Sequence, residues 1–151
     1  MEAMSTAFAP AEGGCQCGAI RYRLIGEPVW LTICHCSECK RQSGSAFGMS
    51  LRMRWIDVEM LKGQPKTWTR SADSGRPVTC AFCETCGTRL WHQPAAAEFV
   101  HIKPGALDDF AWLSPAYESY VERRASWLHL DGIRLSWEGQ DPPPRAEERG
   151  R

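Results

Sequence analysis

The chain has 151 residues, of which 43% are hydrophobic and 24% are charged, as is typical of a single globular domain. Its 18 basic and 18 acidic side chains balance formally, and the absence of a Lys/Arg cluster argues against a nucleic-acid partner. No apolar run approaches the ~18 residues of a membrane span, and the N-terminal stretch MEAMSTAFAPAEGG lacks the apolar segment of a signal peptide. We therefore expect a cytoplasmic protein with no membrane partner.

The two ends of the chain differ in composition from its middle. Residues 1–12 are expected to form a flexible tail, and residues 139–151, rich in proline and charge, are expected to be disordered. This leaves residues 13–138 as the predicted folded domain.

Short strands dominate the predicted elements. The first lies in AIRYRLIG, where Ile20, Tyr22 and Leu24 alternate with polar residues and so share one face. Helix is scarce: SECKRQSG predicts one or two turns with Ser37 as N-cap and Gly44 as the stop, and GALDDF predicts a single turn. SYVERRASWLHL fits either a strand or a short helix. Further strands are predicted in VWLTIC, SAFGMSLRMRW, WIDVEML, KTWTRS, RPVTCAF, TRLWHQ and FVHIKP, with ADSG as a hairpin connection. The pattern indicates a mainly β single domain.

Eight cysteines in a chain expected to lie in a reducing compartment indicate metal binding rather than disulfides. The segment Cys83-x-x-Cys86-Gly87 has the form of a zinc knuckle, since the spacing lets both sulfurs reach one ion and the glycine permits a positive φ. A knuckle supplies two ligands, and Cys15 and Cys17, also followed by glycine, are the natural second pair. The alternative is four free buried thiols. We expect a structural zinc that ties the start of the domain to its middle.

The middle cluster, Cys34, Cys36 and Cys39, supplies three ligands within one strand end and the following turn. Three protein ligands and one open position are typical of a catalytic zinc, whereas a fourth protein ligand would make the site structural. Cys80 is either that fourth ligand or a core thiol on the strand that also carries Phe82. His35 lies between two of the cysteines, so strand alternation directs it away from the ion.

Four motifs now invite comparison with a known family: GGCQCGAIRYRL, CHCSECKRQSGSAF, FCETCGTRLW and PGALDDFAWLSP. In order and spacing they resemble the glutathione-dependent formaldehyde-activating enzymes, a family that also includes centromere protein V. The resemblance runs from about Gly13 to Trp127. It departs at one place: members often carry a basic residue two positions before the Phe of the FC motif, where this chain has Cys80. The basic extension that a centromere role would need is also absent.

The resemblance implies several small coiled antiparallel sheets organised around a four-cysteine zinc site. It implies two zinc ions per chain. The first would be a structural zinc held by Cys15, Cys17, Cys83 and Cys86. The second would be held by Cys34, Cys36 and Cys39, which are catalytic in active members. The named reaction joins formaldehyde and glutathione to give S-hydroxymethylglutathione, and its class is carbon–sulfur lyase.

Three functional hypotheses follow from the cysteines and the resemblance. The first is an enzyme that acts on a small thiol and a small aldehyde at the three-cysteine zinc. The second is a zinc-stabilised binding module without turnover, with both metal sites closed. The third is a redox or metal-buffering role for the middle cluster. A homodimer is also expected to be feasible, because short β-domains expose strand edges.

Overall fold

The computed structural model describes residues 8–140. It contains one α-helix, α1 (Ser37–Ser43), and short 3-10 turns over Trp55–Asp57, Pro104–Ala106 and Val121–Arg123. The strands are β1 (Ala11–Gly14), β2 (Arg21–Leu24), β3 (Trp30–Cys34), β4 (Gly48–Arg54), β5 (Val58–Lys62), β6 (Lys66–Ser71), β7 (Pro77–Phe82), β8 (Arg89–Pro94), β9 (Phe99–Ile102), β10 (Tyr117–Ser119) and β11 (Leu135–Ser136). The prediction of a mainly β fold is confirmed. In the part of the chain described, no helix is long and apolar enough to cross a membrane.

The strands form two sheets. The smaller has the order β1-β2-β5, and the larger has the order β11-β10-β3-β4-β9-β8-β7-β6. All pairings in the smaller sheet are antiparallel, but in the larger sheet β10 runs parallel to both β3 and β11. The expectation of purely antiparallel sheets is wrong at this edge. The long connection over residues 103–116 allows β10 to enter beside β3 in the same direction, as parallel pairs require.

Side chains from both sheets form one buried core. Tyr22 and Leu24 of β2 are fully buried, as their alternation predicts, and they pack with Met53 of β4 and Val100 and Ile102 of β9. Leu90 and Trp91 both enter this core from β8, where the register shifts against β7 between Ala81 and Phe82. Because of that shift, Arg89, the first residue of β8, lies opposite Phe82 of β7.

Three local predictions need adjustment. Cys36, not Ser37, is the N-cap of α1, because its Sγ accepts a hydrogen bond from the Cys39 backbone N–H. Gly44 does end the helix, in the left-handed conformation. The segment SYVERRASWLHL begins on the last residue of β10, Ser119, and then contains the 3-10 turn over Val121–Arg123 rather than a longer strand or an α-helix. Residues 11 and 12 of the predicted tail lie in β1, whereas residues 1–7 and 141–151 of the two predicted tails lie outside the described residues.

Candidate functional site

Cys15, Cys17, Cys83 and Cys86 converge at one end of the core. Their four sulfur atoms all lie within 4.8 Å of one another. Cys17 Sγ is 3.6 Å from Cys15 Sγ and 3.7 Å from Cys83 Sγ. The predicted second pair is therefore the pair that the fold brings to the knuckle.

Two tight turns present these sulfurs. Gly18 and Gly87, the residues that follow each pair, have φ of 79° and 80°, a region that glycine enters without steric cost. The Gly18 backbone N–H donates to the Cys15 carbonyl at 3.1 Å, and that of Gly87 donates to the Cys83 carbonyl at 2.8 Å. Each loop is thus closed by a hydrogen bond from the glycine N–H back to the first cysteine, over a shorter span at Cys15 than at Cys83.

Thr88 joins the two loops. Its hydroxyl accepts from the Gln16 backbone N–H at 3.0 Å and lies 3.2 Å from Cys86 Sγ. Hydrogen bonding by Thr88 lowers the pKa of the Cys86 thiol to about 5, so this ligand is ready to bind a cation as a thiolate.

The geometry of the four sulfurs fits zinc. Zn–S bonds of about 2.3 Å in a tetrahedron place neighbouring sulfurs about 3.8 Å apart. The sulfur–sulfur distances from Cys17 to Cys15 and Cys83, 3.6 and 3.7 Å, match that edge length. Cys15 and Cys83 are buried, whereas Cys17 is exposed at the rim. The four thiols could therefore hold one metal ion near the surface without leaving an open position.

Cys34, Cys36 and Cys39 form a second group, again with all sulfurs within 4.8 Å of one another. Cys34 ends β3, Cys36 caps α1, and Cys39 lies in the first turn of α1. Cys39 is buried, while Cys34 and Cys36 are partly exposed. Because strand, cap and helix each supply one ligand, the cluster depends on how α1 is docked against the larger sheet.

Gly48 and Gln42 both contact Cys39, where α1 packs against the larger sheet. Gly48 lies opposite Cys34 in the β3–β4 ladder, and a Cβ added at Gly48 would lie 2.8 Å from Cys39 Cβ. The side-chain amide of Gln42 donates to Cys39 Sγ at 3.5 Å and accepts from Arg89 Nη2 at 3.1 Å. Cys39 is thus closely surrounded and has a polar link to Arg89.

The three thiols cannot all ionise readily without a cation. Hydrogen bonds from Cys34 and Cys39 lower the pKa of the Cys36 thiol far below its ordinary value. Hydrogen bonding with Cys34, and then with Cys36, raises the pKa of the Cys39 thiol, and hydrogen bonding with Cys36 raises the pKa of Cys34. The cluster holds one thiolate easily and resists forming the others, and a divalent ion would remove that resistance. The donor set fits zinc with three protein ligands.

Cys80 belongs to neither group. It is 99% buried in β7, opposite Trp68 and His92, and its Sγ contacts the Val78 carbonyl at 3.9 Å. Within residues 8–140, no other His, Cys, Asp or Glu joins the three-cysteine cluster. The position of Cys80 fits the core thiol of the two alternatives.

Three of the four histidines are buried or packed in two places, whereas His129 is exposed. His35 is fully buried, and its Nε2 hydrogen-bonds to Glu118 Oε2 at 2.6 Å rather than reaching the cluster. His92 and His101 stack across β8 and β9 with ring centroids 4.8 Å apart. Burial lowers the pKa of both, that of His101 to about 3. Neither the His35–Glu118 hydrogen bond nor the stacked histidine pair can be predicted from the spacing of these residues in the sequence.

Two cavities flank α1. The larger, about 370 Å³, is bounded by the end of α1, the start of β4, the Thr88–Arg89 segment and the turn after β9, and it includes Lys103. The smaller, about 200 Å³, is lined by Glu38, Arg41, Gln42, Trp68, Arg70 and Arg89. Gln42 and Arg89 line both cavities, and Gln42 touches Cys39. Space for a small molecule therefore lies one side chain, that of Gln42, away from Cys39 of the second cluster.

This space is basic. Arg89 Nε is buried without a hydrogen-bond partner among the described residues, although its Nη2 binds Gln42. Burial lowers the pKa of the Lys103 ammonium, while the nearby Cys39 and Cys34 act in the opposite direction. Position 80, where members of the family often carry a basic residue, holds Cys80 in this chain. The fold supplies cations from β8 and from the residue after β9 instead.

This chain is similar to known proteins in sequence and in fold. The family model of the glutathione-dependent formaldehyde-activating enzyme matches residues 10–123. A Halomonas elongata protein that carries the family's name is 27% identical over 127 residues, which cover 80% of each chain. A crystal structure of a Rhodobacter sphaeroides protein superposes with a TM-score of 0.54 at 20% identity, covering 83% of this chain and 98% of the other, and so shares the fold. The chain belongs to the glutathione-dependent formaldehyde-activating enzyme family.

Proposed function

We propose that this protein is a zinc-dependent carbon–sulfur lyase-like enzyme that joins a small thiol of the glutathione type to a small aldehyde such as formaldehyde, or cleaves the adduct. The observation that carries the proposal is the three-thiol cluster, Cys34, Cys36 and Cys39, with a basic cavity of about 370 Å³ beside it. The family's name and that of the Halomonas relative support the same chemistry.

The cluster provides three thiolate ligands and leaves a fourth position for the substrate. A zinc ion held there would lower the pKa of a thiol bound in that position and so supply a nucleophilic thiolate at neutral pH. Cys39 is fixed from two sides, by Gly48 and by the Gln42 amide. Ligands held in this way keep the open position in a constant place relative to the cavity.

The cavity residues bind and orient the thiol. Glutathione carries two carboxylates and one ammonium group, so it needs cations and an anion around the reacting sulfur. Arg89 and Lys103 are available to the larger cavity, and Arg41, Arg70 and Glu38 to the smaller. Because Gln42 links Arg89 to Cys39, a carboxylate on Arg89 would be placed at a set distance from the sulfur.

The bond changes of the reaction are simple. The thiolate sulfur attacks the carbonyl carbon, a C–S bond forms, and the carbonyl π electrons move to the oxygen, which takes a proton from solvent. The reverse step breaks the C–S bond and returns the proton. No redox change occurs, so the chain needs no electron carrier for this chemistry.

Aldehyde consumption with and without glutathione tests the proposal. Cys36→Ser removes one ligand of the second cluster and is expected to abolish the thiol-dependent rate. Cys80→Ser is the matched control, since Cys80 lies outside both clusters, and it is expected to retain activity. Equal thiol-dependent rates in Cys36→Ser and the parent would contradict the catalytic role of the cluster.

Substrate recognition has a separate test. Arg89→Gln removes a cation from both cavities, and the loss of a charge-assisted hydrogen bond of about 1.5–3 kcal/mol is expected to raise KM for glutathione roughly 10-fold or more. Cysteamine, a thiol without carboxylates, should be unaffected. A uniform change for both thiols would refute carboxylate recognition by Arg89.

A further inference from the structure

The residue between two ligands of the second cluster is tied to a distant strand. His35 lies between Cys34 and Cys36, is fully buried, and its Nε2–H donates to Glu118 Oε2 at 2.6 Å. Glu118 belongs to β10 and is 98% buried. A carboxylate in such a place requires partners, and His35 is one of them.

Arg124 is the second partner of that carboxylate. Its Nη1 lies 3.3 and 3.4 Å from the two Glu118 oxygens, and its side chain is 38% exposed. The carboxylate is therefore held between a buried ring and a cation that reaches it from the surface. Glu118 is thus fixed by His35 on one side and by Arg124 on the other.

The backbone is tied at the same place. The His35 N–H donates to the Ser119 carbonyl at 3.1 Å, and Cys34 is the partner of Ser119 in the parallel ladder. On the helix, Lys40 Nζ donates to the Arg123 carbonyl at 2.6 Å. Residues 118–124 thus hold the loop that carries Cys34 and Cys36, and also the helix that carries Cys39.

We propose that Glu118 is a positioning residue for the second metal site, and that residues 118–124 set the affinity of that site for zinc. Groups that orient metal ligands without touching the metal commonly account for 10–100-fold in affinity. Metal–ligand distances tolerate changes of only about 0.2 Å. His35 is joined by peptide bonds to both Cys34 and Cys36. The hydrogen bond between its side chain and Glu118 therefore restrains two ligands at once.

Removal of Glu118 would release the ring. His35 Nδ1 already has no hydrogen-bond partner among the described residues, so without Glu118 neither ring nitrogen would have a side-chain acceptor in its buried site. A polar ring in that situation gains by moving towards water. The peptides of Cys34 and Cys36 would move with it, and the three sulfurs would be held less firmly in the arrangement that binds the ion.

The test measures zinc affinity rather than turnover, and it rests on the proposed binding of zinc at the second cluster. Competition with a chromophoric chelator resolves the tighter and weaker zinc of the full chain, and Co²⁺ substitution reports thiolate ligation by its charge-transfer absorption. In Glu118→Ala we expect the second zinc to bind 10–100-fold more weakly while the four-cysteine zinc is retained. Glu118→Gln, which still accepts from His35, should restore affinity close to the parent's.

Glu122→Ala is the matched control, because Glu122 lies in the same segment, is exposed, and among residues 8–140 forms an ion pair only with Arg123, at 4.0 Å. It should bind both zincs as the parent does. A folded Glu118→Ala protein with the parent's affinity at the second site would overturn the inference. If that variant also loses the four-cysteine zinc, Arg124→Ala decides: we expect weaker second-site binding there, and unchanged affinity overturns the inference.

The two proposals fail in different ways. A parent chain that binds a single zinc contradicts the proposed function and this inference together. A parent chain that binds two zincs, with Glu118→Ala folded and unchanged at the second site, contradicts only the inference.

Discussion

Gly48→Ala is the sharpest steric test of the second cluster. The added Cβ would lie 2.8 Å from Cys39 Cβ and 3.3 Å from the Cys39 carbonyl oxygen. Carbon atoms in contact prefer about 3.5–4.0 Å, so Cys39 or β4 must shift by about 1 Å. That exceeds the roughly 0.2 Å that metal–ligand distances tolerate. Overpacking of this kind costs about 1–3 kcal/mol, which corresponds to a roughly 5- to 150-fold weaker second zinc.

The assay is chelator competition on the full chain, read as two zinc affinities. We expect the four-cysteine zinc to be unchanged and only the second to weaken. Gly105→Ala is the control. Gly105 lines the larger cavity, as Gly48 does, but a Cβ added there meets nothing within 4 Å. A Gly48→Ala protein with the parent's two affinities would refute the reasoning that Gly48 sets the position of Cys39.

Two further outcomes concern stability. Cys83→Ser should unfold the domain, because a structural zinc contributes on the order of 10 kcal/mol to folding; a cooperative, parent-like melting curve would contradict this. Burial depresses the folded-state pKa of His101 to about 3 from 6.5, so below pH 6.5 the unfolded state binds a proton that the folded state does not, and stability falls as pH falls. Between pH 7 and pH 5 the stability advantage of the parent over His101→Asn should shrink by about 2 kcal/mol, measured by urea unfolding with zinc in excess; parallel pH curves for the two proteins would refute the assignment.

The sequence predicts the four-cysteine site well because its information is local. Cys15-x-Cys17-Gly18 and Cys83-x-x-Cys86 each place two sulfurs in one turn, and only the pairing of the two turns needs the fold. The alternation in AIRYRLIG likewise predicts which face of β2 is buried. These signals span a few residues, so no knowledge of strand order is required.

The surroundings of the second cluster depend on strand order and are invisible in the sequence. Glu118 reaches His35 only because β10 pairs in parallel with β3. Arg89 and Lys103 approach the cluster because β9 and β8 follow β4 across the sheet, and because a register shift between β7 and β8 sets Arg89 opposite Phe82. Single charged residues carry no pattern that distinguishes such neighbours from surface residues.

The helix cap shows a smaller limit of the same kind. Ser37 is the better N-cap by residue type, yet the cap is Cys36, whose sulfur accepts from the Cys39 N–H. The cap and the metal ligand are the same side chain. A preference that describes ordinary helices gives way here to the requirements of the cysteine cluster.

The central claim is an open fourth position at the second cluster that a substrate thiol fills. Zinc X-ray absorption of the fully loaded chain tests it most directly, by counting sulfur neighbours before and after addition of glutathione. With one four-sulfur and one three-sulfur site, we predict an average of about three and a half sulfur neighbours per zinc, with one light-atom neighbour shared between the two sites' average, rising to about four sulfurs per zinc with glutathione. Four sulfurs per zinc before addition, unchanged afterwards, would contradict the account, because a fourth cysteine such as Cys80 would then close the site.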